Sequence, residues 1–154
     1  MDGFEPRIIV LSCNWCSYAG ADLAGTSRLQ YAPNVRMVRV MCSGRVEPRF
    51  VFEALRAGAD GVLVLGCHPG ECHYLEGNYR AAARMALLRN VLAQFGVEEG
   101  RVRLDWVSAS EGVRFAGIVN RMTEEVRALG PFQQDGAKRG DWRDVICSAG
   151  TEES

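Results

Sequence analysis

The chain has 154 residues and a mass of 16.9 kDa, which fits one domain and leaves little room for a second. Apolar residues make up 47% of it, and eighteen basic residues against nineteen acidic ones leave a formal charge of −1. That balance excludes a disordered polar chain and gives no strongly basic surface for nucleic acid. The longest apolar runs fall far short of the roughly 20 residues of a membrane span, and the opening MDGFEPR lacks the apolar core of a secretory signal. The expectation is a soluble, cytoplasmic protein.

Strands and helices alternate along the chain. Residues 7–12 (RIIVLS) are short, β-branched and apolar, as suits a buried strand. Helical character over residues 19–29 is weak, because Gly20, Gly25 and Thr26 interrupt it. Residues 35–41 (VRMVRVM) read as a second strand in which Arg36 and Arg39 mark the less buried positions. A helix is predicted over 47–57, with Pro48 at its first position and Gly58 as its stop. Residues 61–66 (GVLVLG) are apolar on both faces and predict a central strand. The clearest helix spans 78–95, where Met85, Leu88, Leu92 and Phe95 form an apolar stripe and Arg80 and Arg84 share another face. Residues 102–107 (VRLDWV) alternate, as in a strand near an edge. Ser110 reads as the N-cap of a last helix over 111–129, in which Phe115, Val119, Met122, Val126 and Leu129 keep helical spacing up to Gly130-Pro131.

This order implies an α/β fold: a small flavodoxin-like, four-stranded parallel sheet in the order 2-1-3-4 with helices on both faces. Residues 1–131 form that domain. Residues 132–154 are polar, lack apolar periodicity and read as a tail, mobile or laid on a partner through Phe132, Trp142, Val145 and Ile146.

Six cysteines without an export signal point to metal or redox chemistry rather than structural disulfides. Cys13 and Cys16 follow the first strand, Cys42 the second, and Cys67 and Cys72 the third. In an open parallel sheet the loops after the strands share one edge, where such folds bind ligands. A buried cysteine is often only a small hydrophobe, but core packing does not require five of them at strand ends. Three chemistries compete. Cys67-His68-Pro69-Gly70-Glu71-Cys72-His73 supplies the mixed ligands of a zinc site, and Cys13-Asn14-Trp15-Cys16 has the spacing of a thiol–disulfide exchanger. An iron–sulfur cluster needs four thiolates from converging loops, with backbone amides brought close by Gly44, Gly66 and Gly70. Only the cluster draws on all three loops.

The other polar residues carry plainer readings. His68 and His73 fit loop-fixing hydrogen bonds better than ligation, and Glu71 suits a partner's basic group or tuning of the site. Trp15 and Tyr18 shield the site or dock a partner, whereas Tyr74 and Tyr79 pack. Residues 108–112 (SASEG) cap a helix, or complete the pocket. Of the eighteen basic residues only Lys138 is Lys. That bias reads as one of coding, although Arg also packs well at interfaces. No P-loop, GxGxxG or Ser-His-Asp pattern is present.

Residues 13–25 (CNWCSYAGADLAG), 41–46 (MCSGRV), 66–78 (GCHPGECHYLEGN) and 105–131 make the chain resemble the delta, or iron–sulfur, subunit of methyl-viologen-reducing hydrogenase, the small family associated with heterodisulfide reductase. The resemblance covers nearly all of residues 7–131. It implies a non-catalytic subunit holding one [2Fe–2S] cluster. Such a subunit relays electrons between a hydrogenase, formate dehydrogenase or similar donor and the flavin subunit of heterodisulfide reductase, in complexes that bifurcate electrons. It carries over Cys13, Cys16, Cys42, Cys67 and Cys72 as candidate ligands. One cluster takes four, and Cys16, in the first turn of the segment that follows, is the one expected to stand aside. Cys147, in the tail, has no counterpart. The expected docking edge carries Trp15, Tyr18, His68, Pro69 and Tyr74, with Arg45 and Arg49 at its rim.

Overall fold

A computed structural model describes residues 4–13, 34–40, 43–68 and 77–132. They form four strands, β1 (Ile8–Cys13), β2 (Val35–Val40), β3 (Gly61–Gly66) and β4 (Val102–Trp106), and three α-helices, α1 (Pro48–Arg56), α2 (Gly77–Gln94) and α3 (Gly112–Leu129). All strand pairs are parallel and the order is β2-β1-β3-β4, so the expected α/β sheet is the one observed. The weak helical segment at 19–29 and the tail from 133 onward lie outside the described residues.

Alternation along the two central strands explains the layering. Ile9 and Leu11 of β1 and Val62 and Val64 of β3 face one side, where they pack with Val51, Ala54 and Leu55 of α1 and Met85, Leu88 and Leu92 of α2. Ile8, Val10, Leu63 and Leu65 face the other side and meet Phe115, Ile118, Val119, Met122 and Val126 of α3. Both faces are thus covered, which is why β1 and β3 are buried along their whole length. The edge strand β2 exposes Arg36 and Arg39, as its sequence predicts.

The helix ends follow local chemistry. Pro48 opens α1, where its missing N–H costs nothing, and Gly58 closes it at φ 115°. Two expectations are corrected. Phe95 lies past the last residue of α2 and is 74% exposed, meeting Phe52 edge-on with ring centroids 6.5 Å apart, so the buried stripe stops at Leu92. Leu129, at the end of α3, is also exposed.

The amino-terminal end of the sheet is closed by buried charge. Asp60 accepts hydrogen bonds from the backbone N–H of Arg7 (2.8 Å) and of Phe132 (3.0 Å). The Arg101 guanidinium, 1% exposed, donates to the carbonyls of Asp60 (3.0 Å) and Gly130 (2.9 Å) and to Glu98 (2.5 Å). The hydrogen bond from Arg101 holds the Glu98 carboxyl below its ordinary range, and the guanidinium lies 5.4 Å from the Phe132 ring centroid. Phe132, the first residue of the expected tail, is in this way tied to the domain.

Candidate metal centre at the carboxyl edge

Cys13 ends β1 and Cys67 follows β3, its neighbour in the sheet. The chain passes to β2 on one side of β1 and returns to β3 on the other, so both residues stand where strand order reverses, the usual ligand position of such sheets. Both are buried, and their sulfurs are 3.7 Å apart. Cys67 is itself half of a disulfide, which makes Cys13 the donor between them. A tetrahedral metal with bonds to sulfur of about 2.3 Å sets two ligand sulfurs roughly 3.8 Å apart. Once the Cys67 disulfide is reduced to the thiolate, the spacing of Cys13 and Cys67 fits two ligands of one metal. Cys16, Cys42 and Cys72 lie outside the described residues, as do Trp15, Tyr18, Pro69, Glu71, His73, Tyr74 and Cys147. Among the described residues, no group of three or more metal-ligating side chains converges.

The loops around this pair are held by backbone contacts. Asn78, buried at the start of α2, donates through Nδ2 to the carbonyls of Cys67 (3.2 Å) and His68 (2.9 Å), and its Oδ1 accepts the N–H of Tyr79. Gly44 lies so close to Gly77 that a Cβ there would stand 2.8 Å from Gly77 Cα. Arg84 adds a bond to the Gly44 carbonyl (2.5 Å), which fastens the loop after β2 to a second point along α2. Glycine at Gly44 thus lets two backbones touch beside the site.

His68 is engaged by Glu111 through Nε2, in keeping with a loop-fixing role. Glu111 also accepts the backbone N–H of Ser108 (2.9 Å). That bond, followed by the one from His68, pulls the Glu111 carboxyl down to about 2. The expected N-cap, Ser110, is displaced: Glu111 is the N-cap of α3, and Ser110 Oγ meets Ser108 Oγ at 3.3 Å instead. The spacing Ser108-x-x-Glu111 is that of a capping box, which was the available signal. Asn78 is the site residue that sequence reasoning missed, whereas Glu111 lies in the segment 108–112 already read as a cap or part of the pocket. Arg49, expected at the rim, is exposed and bonds Glu53 (2.8 Å).

These features define a small, parallel α/β domain with a buried sulfur pair at the strand-order reversal. The family described as methyl-viologen-reducing hydrogenase, delta subunit, matches residues 8–130, and the chain belongs to it. The iron-sulfur subunit of the F420-non-reducing hydrogenase of Archaeoglobus profundus is 54% identical over 130 residues, covering 84% of this chain and 95% of that protein. The vhc iron-sulfur subunit of the F420-non-reducing hydrogenase of Methanococcus voltae is 48% identical over 84% of this chain and 90% of its own. One subunit of the ferredoxin/F(420)H(2)-dependent CoB-CoM heterodisulfide reductase of Methanosarcina acetivorans is 49% identical over 88% of this chain, but that stretch is only 18% of the longer protein. The same domain therefore occurs both as a subunit of its own and inside a larger reductase chain. Among the described residues, no helix is long and apolar enough to cross a membrane.

Proposed function

We propose that this chain is an electron-transfer subunit that holds one [2Fe–2S] cluster through four of Cys13, Cys16, Cys42, Cys67 and Cys72. It passes electrons from a hydrogenase or a similar donor to the flavin subunit of a heterodisulfide-reductase-type, electron-bifurcating complex. The observation that carries the reading is the Cys13–Cys67 sulfur pair, 3.7 Å apart at the ligand edge. Relatives named as iron–sulfur subunits of hydrogenases supply the donor side. Relatives in which the domain is part of a heterodisulfide reductase chain supply the acceptor side. When bound, the cluster supplies one-electron transfer. The protein's own residues fix the ligand loops through Asn78 and the Gly44–Gly77 contact, bury the sulfurs, and leave His68 and Glu111 partly exposed at the edge a partner would meet.

The test is anaerobic purification followed by iron and acid-labile sulfide analysis and EPR of the reduced protein. Two irons and two sulfides per chain are expected. Cys67→Ala should lose the signal and Cys147→Ala should keep it. A full signal in Cys67→Ala overturns the ligand assignment, and a colourless protein holding zinc overturns the relay. The disulfide at Cys67 favours thiol–disulfide exchange as the second reading. That reading predicts an iron-free protein whose disulfide takes up two electrons and two protons reversibly.

A further inference from the structure

Ser43 opens the short 3₁₀ turn after β2 and is the direct neighbour of Cys42. It is 1% exposed, and its hydroxyl has no hydrogen-bond partner. Buried polar groups are nearly always paired, and leaving one unpaired costs stability, so an orphan hydroxyl next to a candidate ligand in the chain calls for a partner from outside it. The hydroxyl lies over the end of β3: a Cβ placed on Gly66 would stand 2.7 Å from Ser43 Oγ and 2.9 Å from Trp106 Cζ3. Gly66 directly precedes Cys67 and continues the row of Val62 and Val64, on the face of the sheet to which the row of Ile9, Leu11 and Cys13 belongs. The glycine thus leaves room for the hydroxyl between the turn after β2 and the last residues of β3 and β4. Asn34 Oδ1 is also buried and unpaired, but it lies at the opposite end of the sheet, and its amide is anchored on the Pro6 carbonyl.

We propose that Ser43 donates its hydroxyl hydrogen to a sulfur of the iron–sulfur group at this edge and thereby raises its reduction potential. The inference rests on the cluster reading above and makes Ser43 a positioning residue rather than a ligand. The added electron places more negative charge on the sulfurs, and a donor aimed at them stabilises the reduced form more than the oxidised one.

The experiment uses the full chain, reconstituted anaerobically. Ser43→Ala should keep its iron and sulfide, shift the midpoint potential to a more negative value in a redox titration, and lose one exchangeable-proton coupling in pulsed EPR after transfer to D2O. The iron-free Ser43→Ala protein should melt at or above the temperature of the iron-free parent, because an unpaired buried hydroxyl has been removed. An unchanged potential and proton coupling at full iron content overturns the proposal. So does an iron-free variant that melts well below the parent, since the hydroxyl would then be bonded within the protein itself. A parent chain that takes up no iron overturns the cluster reading instead.

Discussion

The two ends of the sheet treat polar groups in opposite ways. At the amino-terminal end, the buried Asp60 and Arg101 meet the backbone of Arg7, Gly130 and Phe132, so these charges are answered inside the protein. At the carboxyl end a thiol, a disulfide and an unpaired hydroxyl sit together, while Asn78 and Glu111 secure the loops around them rather than pairing with them. One end spends its polar groups on stability. The other gathers them at the edge where open parallel sheets place their ligand sites.

That contrast breaks most sharply at Asp60. Asp60→Ala leaves two backbone N–H groups unpaired and should cost about 3 kcal/mol of unfolding free energy, measured by urea denaturation at constant slope. The folded fraction should still take up iron as the parent does, and a changed EPR spectrum would show that the ends are coupled. Asn78→Ala works at the other end. It removes the donor to two loop carbonyls and should cost about 1–2 kcal/mol, with iron lost faster to a chelator. Unaltered chelator kinetics would show that Asn78 does not secure the ligand loop.

The smallest effect belongs to Glu111. Its carboxyl is held at about 2 against the ordinary 4.5, so its contribution to stability is fully present above about pH 4.5 and is lost as the pH falls toward 2. In the iron-free protein, Glu111→Gln should therefore flatten the fall in melting temperature between pH 5 and pH 3. Parallel curves for parent and variant would show that the bonds from Ser108 and His68 do not hold in solution.

Much of the fold was legible because strands advertise burial. The unbroken apolar runs of β1 and β3 and the two arginines of β2 fixed which strands are central and which is at an edge. The placement of Cys13 and Cys67 at one edge followed from the same reading. Helical periodicity failed where the core ends, since the spacing that includes Phe95 and Leu129 carries no mark of where the facing strands stop. The roles of Asn78, Glu111 and Ser43 were harder to see, because they depend on which loops meet across the sheet. Local propensity placed the cap at Ser110, whereas the contact with His68, 43 residues away, engages Glu111.

The sulfur pair also has a bearing on timing. Cys13 and Cys67 are 54 residues apart in the chain, and five register pairs between β1 and β3 bring them together. In an unfolded chain, closing a loop of that length would cost about 3–4 kcal/mol, and pairing across parallel strands is slow. In the folded sheet that cost is already met. A ligand that needs both sulfurs therefore finds them already side by side once the third strand lies next to the first.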